Sequence, residues 1–150
     1  PDVRCVAVCD VRADRRERVK RMVDDRYGNL DCRPYRDFRE LLARDDLDAV
    51  IIATYWNWHT PMAVEGMRCR KYIGVEVPAA LSIEECWKLV QTHEETHIPC
   101  MMLENWRFRR DNLAVLNMIR RGLLGEIVHC HCAHSHDCID HWFFDANGND

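Results

Sequence analysis

The stretch 48-DAVIIATYWNWHTPMAVEGMRCRKYIGVEVP-78 decides how this chain folds. Ala49–Thr54 is a short unbroken apolar run behind a charged lead-in, the pattern of a strand buried on both faces. Thr60 then stands where a helix N-cap belongs and Pro61 at the first helical position, where a missing N–H costs nothing. Met62, Ala63, Val64, Gly66 and Met67 give that helix an apolar side, and Arg68, Arg70 and Lys71 place positive charge at its C-terminal end. Tyr72–Val77 is a second apolar run, closed by Pro78. Two strands joined by a helical crossover of this length are parallel, with a right-handed connection. Residues 55–59 and 76–78 therefore leave the same edge of a sheet, the edge at which open α/β sheets bind ligands.

Working outward, the flanks repeat the alternation. Val3–Cys9 reads as a strand ending at Asp10. Asp14–Tyr27 reads as a charged helix with Val19, Met22 and Val23 inward, stopped at Gly28-Asn29. Asp37–Arg44 is a short helix turning Phe38, Leu41 and Leu42 inward. Ser82 with Glu85 three residues on forms a capping box for a helix that runs to about His93 and buries Ile83, Cys86, Trp87, Leu89 and Val90. Ile98–Leu103 is another short strand. Strands alternating with helices indicate a doubly wound parallel sheet, an α/β Rossmann-type fold over residues 1–105. From about residue 106 the pattern changes to an amphipathic helix, Asp111–Arg121, then a strand-like run from Ile127 to about His136, the expected start of an α+β domain over 106–150.

The 150 residues are 47% hydrophobic with a formal charge of −4, enough for one core and no reason to expect a nucleic-acid surface. No apolar run approaches a membrane span. The nine cysteines form no CxxC pair and fall within predicted elements, so buried reduced thiols are the reading, which favours a reducing compartment such as the cytoplasm and leaves the localisation open. The turn-like ends, Pro1 and 145-DANGND-150, suggest a piece of a longer protein.

Several residues carry chemistry. Asp10 ends the first strand, where an acid accepts hydrogen bonds from an adenosine ribose; a helix-capping role fits the same position. The phosphate-binding glycine motif should lie about 20 residues before it, and its first strand and loop are expected to precede this chain. Trp56 and Trp58 can stack on a ring or cover the core, and His59 can bond a ligand or serve the structure. Glu76 either faces a cofactor or is a solvated strand end. His129, Cys130, His131, Cys132, His134, His136, Cys138 and His141 are dense in metal-capable side chains, but residues in line on one strand do not converge on one ion. No metal site is expected there, and substrate-facing polar residues are the reading.

The succession CDV, T-Y-W-N-W-H-T-P-M-A, Y-I-G-V-E-V-P-A and ENWRFRRDNLAVLNMIRRGLLGEI resembles the Gfo/Idh/MocA family of NAD(P)-dependent sugar oxidoreductases. The resemblance covers nearly the whole chain and implies a Rossmann domain followed by an α+β substrate domain. The generic family carries E-K-P after the central crossover, with a lysine that takes part in proton transfer; Val77 stands in its place here. The variant E-V-P-A and the W-x-W-H-T-P-M loop look nearer to the NAD-dependent α-N-acetylgalactosaminidase-like branch. In that branch NAD⁺ oxidises the sugar at C3, the aglycone is eliminated, water adds and the hydride returns, without the usual carboxylate pair. The resemblance implies NAD contacts from Asp10, Trp56, Asn57, Trp58, His59, Glu76, Val77 and Asn105. Where the branch has tyrosines this chain has Trp106, Phe108 and His134, so His134 and His136 are the expected proton-handling residues. The expected partner is a small sugar or glycoside, with neither nucleic acid nor membrane, and with room for a homo-oligomer. Simple NAD-dependent sugar dehydrogenation and non-catalytic NAD or sugar binding are the alternatives.

Overall fold

The computed structural model describes residues 3–133 and 135. The chain divides into two compact units, Pro1–Asn105 and Trp106–Asp150. The first alternates strand and helix: β1 (Ala7–Cys9), α1 (Ala13–Tyr27), β2 (Arg33–Tyr35), α2 (Phe38–Leu42), β3 (Ala49–Ile52), α3 (His59–Arg68), β4 (Tyr72–Val75), α4 (Ile83–Thr96) and β5 (Cys100–Met102). All pairings are parallel. β1 pairs with β2, and β3, β4 and β5 form a second sheet in that order, with Val50, Ile73 and Cys100 in one register row. The expected parallel α/β architecture is present.

The core lies between the three-stranded sheet and α3. Ile52, Ile73 and Val75 meet Ala63 and Met67, with Val50, Leu89 and Cys100 packed at the margin. α3 comes close to β4 because residue 66 is glycine: a Cβ there would collide with Ile73 Cδ1. Only one sheet face is buried this way. Ile51, on the other face, is 76% exposed, so β3 is not covered on both sides as its apolar run suggested. Alternation decides this, since residues i and i+2 share a face and only the Val50–Ile52 face meets α3 and its neighbours.

Helix boundaries follow their signals more closely than helix faces do. Gly28 closes α1 in the left-handed conformation (φ 66°). The Asp37 side chain caps α2 by accepting from Arg39 N at 2.9 Å. Ser82 Oγ accepts from Glu85 N at 3.1 Å, while Glu85 Oε2 reaches back to Leu81 N at 2.7 Å, one residue before the usual partner. Along α1, however, Val19 and Met22 are exposed and Asp24 is buried. Lys20 pairs with Asp24, whose other oxygen accepts from Cys32 N at 3.1 Å, so a polar pair holds the inner line of the helix. On α4, Ile83, Cys86, Trp87 and Val90 are exposed, and Leu89 and Thr92 turn inward. The sequence pattern supplied several apolar residues per turn, and the packed line took one of them.

β2 has no counterpart in the sequence reading, because Pro34 argues against a strand; it sits in a sheet-edge strand, where a missing N–H is tolerated. The thiols also differ from expectation: Cys32 is buried, whereas Cys5, Cys86, Cys130 and Cys132 are exposed.

The second unit holds α5 (Arg110–Arg120), ended by Gly122 at φ 69°. Among the described residues, 127–133 form no strand, where the sequence pattern places one from Ile127. His134, His136, Cys138 and His141 lie outside the described residues. Among the described residues, no helix is long and apolar enough to cross a membrane.

The Lys20–Asp24 pair has a testable pH consequence. Lys20 holds the Asp24 carboxyl below its ordinary range, helped by the Cys32 N–H. A carboxyl depressed by folding contributes stability above its unfolded pKa, and that contribution is lost as pH falls through the folded value. Asp24→Asn keeps an oxygen for Cys32 and loses the charge. Its Tm is expected to be lower than wild type at pH 7, with the two curves converging between about pH 5 and pH 2. Parallel curves across that range would contradict this.

Candidate functional site

Asp10, residues 55–59, Glu76-Val77 and Asn105 each follow the carboxyl end of a parallel strand, β1, β3, β4 and β5 respectively. This is where the sequence placed them. Asp10 Oδ1 accepts from Arg12 N at 2.8 Å, which closes the turn leading into α1; the helix N-cap itself is Arg12, so Asp10 does not cap it. Arg12 itself forks onto Asp14 through Nε and Nη2, at 3.1 and 2.8 Å. Asp14 is first among the groups that raise the Arg12 pKa, followed at a distance by Asp10 and the Tyr55 phenol. Cys9, the last residue of β1, is pushed up to about 11, by burial first and then by Asp37 and Asp10. It stays a thiol at neutral pH and is no nucleophile.

The loop after β3 is a 3₁₀ turn, Trp56–Trp58, that runs directly into α3. This corrects the expected helix start. Trp58, not Thr60, occupies the N-cap position, and His59 N bonds back to Trp56 O. With the first N–H satisfied by the turn, the Thr60 hydroxyl is released to donate to Ala79 O at 3.0 Å. Pro61 still falls in the first turn, where helical N–H groups have no intrahelical partner. Trp58 meets the Phe38 ring edge-on at 6.2 Å, a brace from α2 that the sequence did not reveal.

Thr54, Tyr55, Trp56 and Asn57 line one side of an open cleft of about 360 Å³, and Leu81 lines the other. Leu81 was missed by sequence reasoning, which assigned it no role. His59 is not on the cleft wall. It is 1% exposed, with Nδ1 2.8 Å from Pro78 O and Nε2 3.0 Å from Thr54 O. Glu76 and Val77 are exposed in the turn after β4, and the Val77–Pro78 bond is cis. Asn105 opens a short 3₁₀ turn, Asn105–Phe108.

A nicotinamide dinucleotide fits the chemistry of this edge: a carboxylate for ribose hydroxyls at Asp10, aromatic faces at Trp56 and Trp58, an amide at Asn57 and an apolar wall at Leu81. The lysine expected of the generic family is absent from it. The chain has three lysines, Lys20, Lys71 and Lys88. Lys20 is held by Asp24 on α1, Lys71 is buried at the start of β4 with Nζ bonded to Arg44 O, and Lys88 lies within α4. Among the described residues, no group of three or more His, Cys, Asp or Glu is placed to hold a metal ion.

Known proteins agree with this geometry. Residues 1–104 match the oxidoreductase family with an NAD-binding Rossmann fold, Gfo/Idh/MocA, and residues 108–149 match the glycosyl hydrolase 109 C-terminal domain. A glycosyl hydrolase family 109 protein of Shewanella sp. (strain W3-18-1) is 47% identical over 126 residues, covering 75% of this chain and 28% of the relative. A second, from Shewanella sp. (strain ANA-3), is 48% identical over the same length and coverage. The chain therefore spans little more than a quarter of the length of these relatives. Among solved structures, a putative myo-inositol dehydrogenase from Sinorhizobium meliloti 1021 is 29% identical with a TM-score of 0.67, covering 83% of this chain and 36% of that one. The WlbA dehydrogenase from Bordetella pertussis, in complex with NADH and UDP-GlcNAcA, shares the fold at 22% identity and a TM-score of 0.70, covering 80% and 35%. With the parallel sheets, the strand-end acid and the matched residues in agreement, the chain belongs to the Gfo/Idh/MocA family of oxidoreductases with an NAD-binding Rossmann fold.

Proposed function

We propose that the full-length protein is an NAD-dependent enzyme that acts on a sugar or glycoside by hydride transfer, and that it cleaves a glycoside with no net redox change. The observation that carries this reading is the turn Glu76-Val77-Pro78, where an isopropyl group replaces the ammonium and none of the chain's three lysines comes to the cleft. Bound NAD supplies hydride acceptance and return. The chain's own residues bind and orient: Asp10 takes the ribose hydroxyls, Trp56 and Asn57 stand on one wall, and Trp58 contacts the cofactor from the same turn. Glu76, Val77 and Asn105 complete the strand-end edge, with His59 acting through the loop it holds. His134 and His136 are the proposed proton carriers, on the chemistry of imidazole alone. The match of residues 108–149 to a glycosyl hydrolase domain supports glycoside turnover.

Simple sugar dehydrogenation is the second reading, supported by the dehydrogenase names of the structural relatives. The two separate on one assay. With an aryl α-N-acetylgalactosaminide, the substrate class implied by the branch resemblance, the proposal expects phenol release without NADH accumulation. NADH accumulating on free sugars, with no phenol released, would return the protein to dehydrogenation and require another base in place of lysine.

A further inference from the structure

We infer that His59 and Thr60 are positioning residues that set the width of the strand-end cleft by gripping the backbone of its far wall. They are consecutive side chains on the first turn of α3, and they reach consecutive carbonyls beyond β4. His59 Nδ1 lies 2.8 Å from Pro78 O, and Thr60 Oγ1 donates to Ala79 O at 3.0 Å. Both side chains are buried, His59 at 1% and Thr60 at 2% exposure. β4 has ended at Val75, so neither carbonyl belongs to the ladder and each takes its donor from α3. The other imidazole nitrogen, Nε2, is 3.0 Å from the carbonyl of Thr54, which itself lines the cleft. A neutral imidazole carries one N–H, and the grip assigns it to Nδ1, donating to Pro78 O, with Nε2 facing the near wall. Leu81, the far wall, stands two residues beyond the gripped Ala79 carbonyl, and its own N–H is held by Glu85. The segment is fixed from both ends, and losing the α3 end frees the wall that faces Tyr55 and Trp56. The consequence for NAD rests on the function proposed above; the grip itself does not.

Side-chain isosteres separate gripping from space filling. Asparagine places its amide nitrogen near the Nδ1 position and keeps the bond across the cleft to Pro78. Glutamine places its nitrogen near Nε2, where it reaches Thr54 O and not Pro78 O. If the ring merely fills volume, the larger His59→Gln is the better substitute; if it grips, His59→Asn is. Thr60→Ser keeps the hydroxyl and Thr60→Val keeps the shape.

The test is amide hydrogen exchange over residues 76–82 of the full-length protein without cofactor, followed by NAD titration calorimetry. Exchange is expected to rise about tenfold in His59→Gln and Thr60→Val, the equivalent of one lost buried hydrogen bond. His59→Asn and Thr60→Ser should stay within about twofold of wild type, and NAD affinity should follow the same order. Should His59→Gln fail to fold, the Thr60 pair decides the matter alone. Wild-type exchange in Thr60→Val, or glutamine outperforming asparagine at 59, overturns the proposal. The expected exchange pattern in a wild type that binds no NAD would uphold the grip and defeat the cofactor reading.

Discussion

Met67→Ala is expected to destabilise the protein by about 2–5 kcal/mol, the range for removing a long apolar side chain from a closed core. Met67 is 0% exposed and lies among Ile52, Ala63, Ile73 and Val75. The spread in such costs reflects how far the surroundings can collapse into the space left behind. Here they collapse poorly, because the adjacent Gly66 already brings the α3 backbone against Ile73 and the helix has no further approach to make. The cost should therefore fall in the upper half of the range. Met67→Leu, close in volume, should cost less than about 1.5 kcal/mol. Urea denaturation reads both, as a lower midpoint at unchanged slope. Equal midpoints for the alanine and leucine variants would show that Met67 does not hold the sheet to the helix.

The second large effect falls on the cofactor. Asp10→Ala is expected to weaken NAD binding by about 10- to 100-fold, the equivalent of one charge-assisted hydrogen bond of about 1.5–3 kcal/mol. It should also narrow the preference for NAD over NADP, since the carboxylate that disfavours a 2′-phosphate is gone. The proposed ribose contact is not the only task of Asp10, because its Oδ1 also closes the turn at Arg12. Asp10→Asn separates them: an amide oxygen can still accept from Arg12 N, while the charge is lost. The asparagine variant should keep wild-type stability yet lose much of the NAD preference. Calorimetric titration of both nucleotides into cofactor-stripped full-length protein measures this. Unchanged affinity for NAD in both variants would leave Asp10 as a turn-closing residue only.

How far the sequence foretold this structure depends on the kind of information asked of it. The parallel β3–α3–β4 unit was legible because a buried strand and a crossover helix differ in period, and because Pro61 and Pro78 mark its punctuation. Gly28, Asp37 and Ser82 act locally, so their capping roles were legible too, two of them as seen and one beyond what was read. The inward faces of α1 and α4 were not. Val19, Met22, Trp87 and Val90 carry the right residue types, but the partner that selects one line over another is tertiary. β2 was hidden by Pro34, which only an edge strand accommodates. At the site, the strand-end positions of Asp10, Trp56, Trp58, Glu76 and Val77 followed from topology. The inward turn of His59 and the grip of Thr60 did not, because both depend on where residues 78–79 pass, 19 residues further along the chain.

The central claim is that glycoside turnover runs through NAD held at this strand-end edge. The most direct measurement strips the cofactor from the full-length protein, assays release of the aryl group from an α-N-acetylgalactosaminide, and then restores NAD in an amount stoichiometric with enzyme. The account predicts no turnover when stripped, many turnovers per NAD when restored, and no build-up of NADH. Turnover that persists without NAD, or that consumes one NAD for each glycoside cleaved, would contradict it.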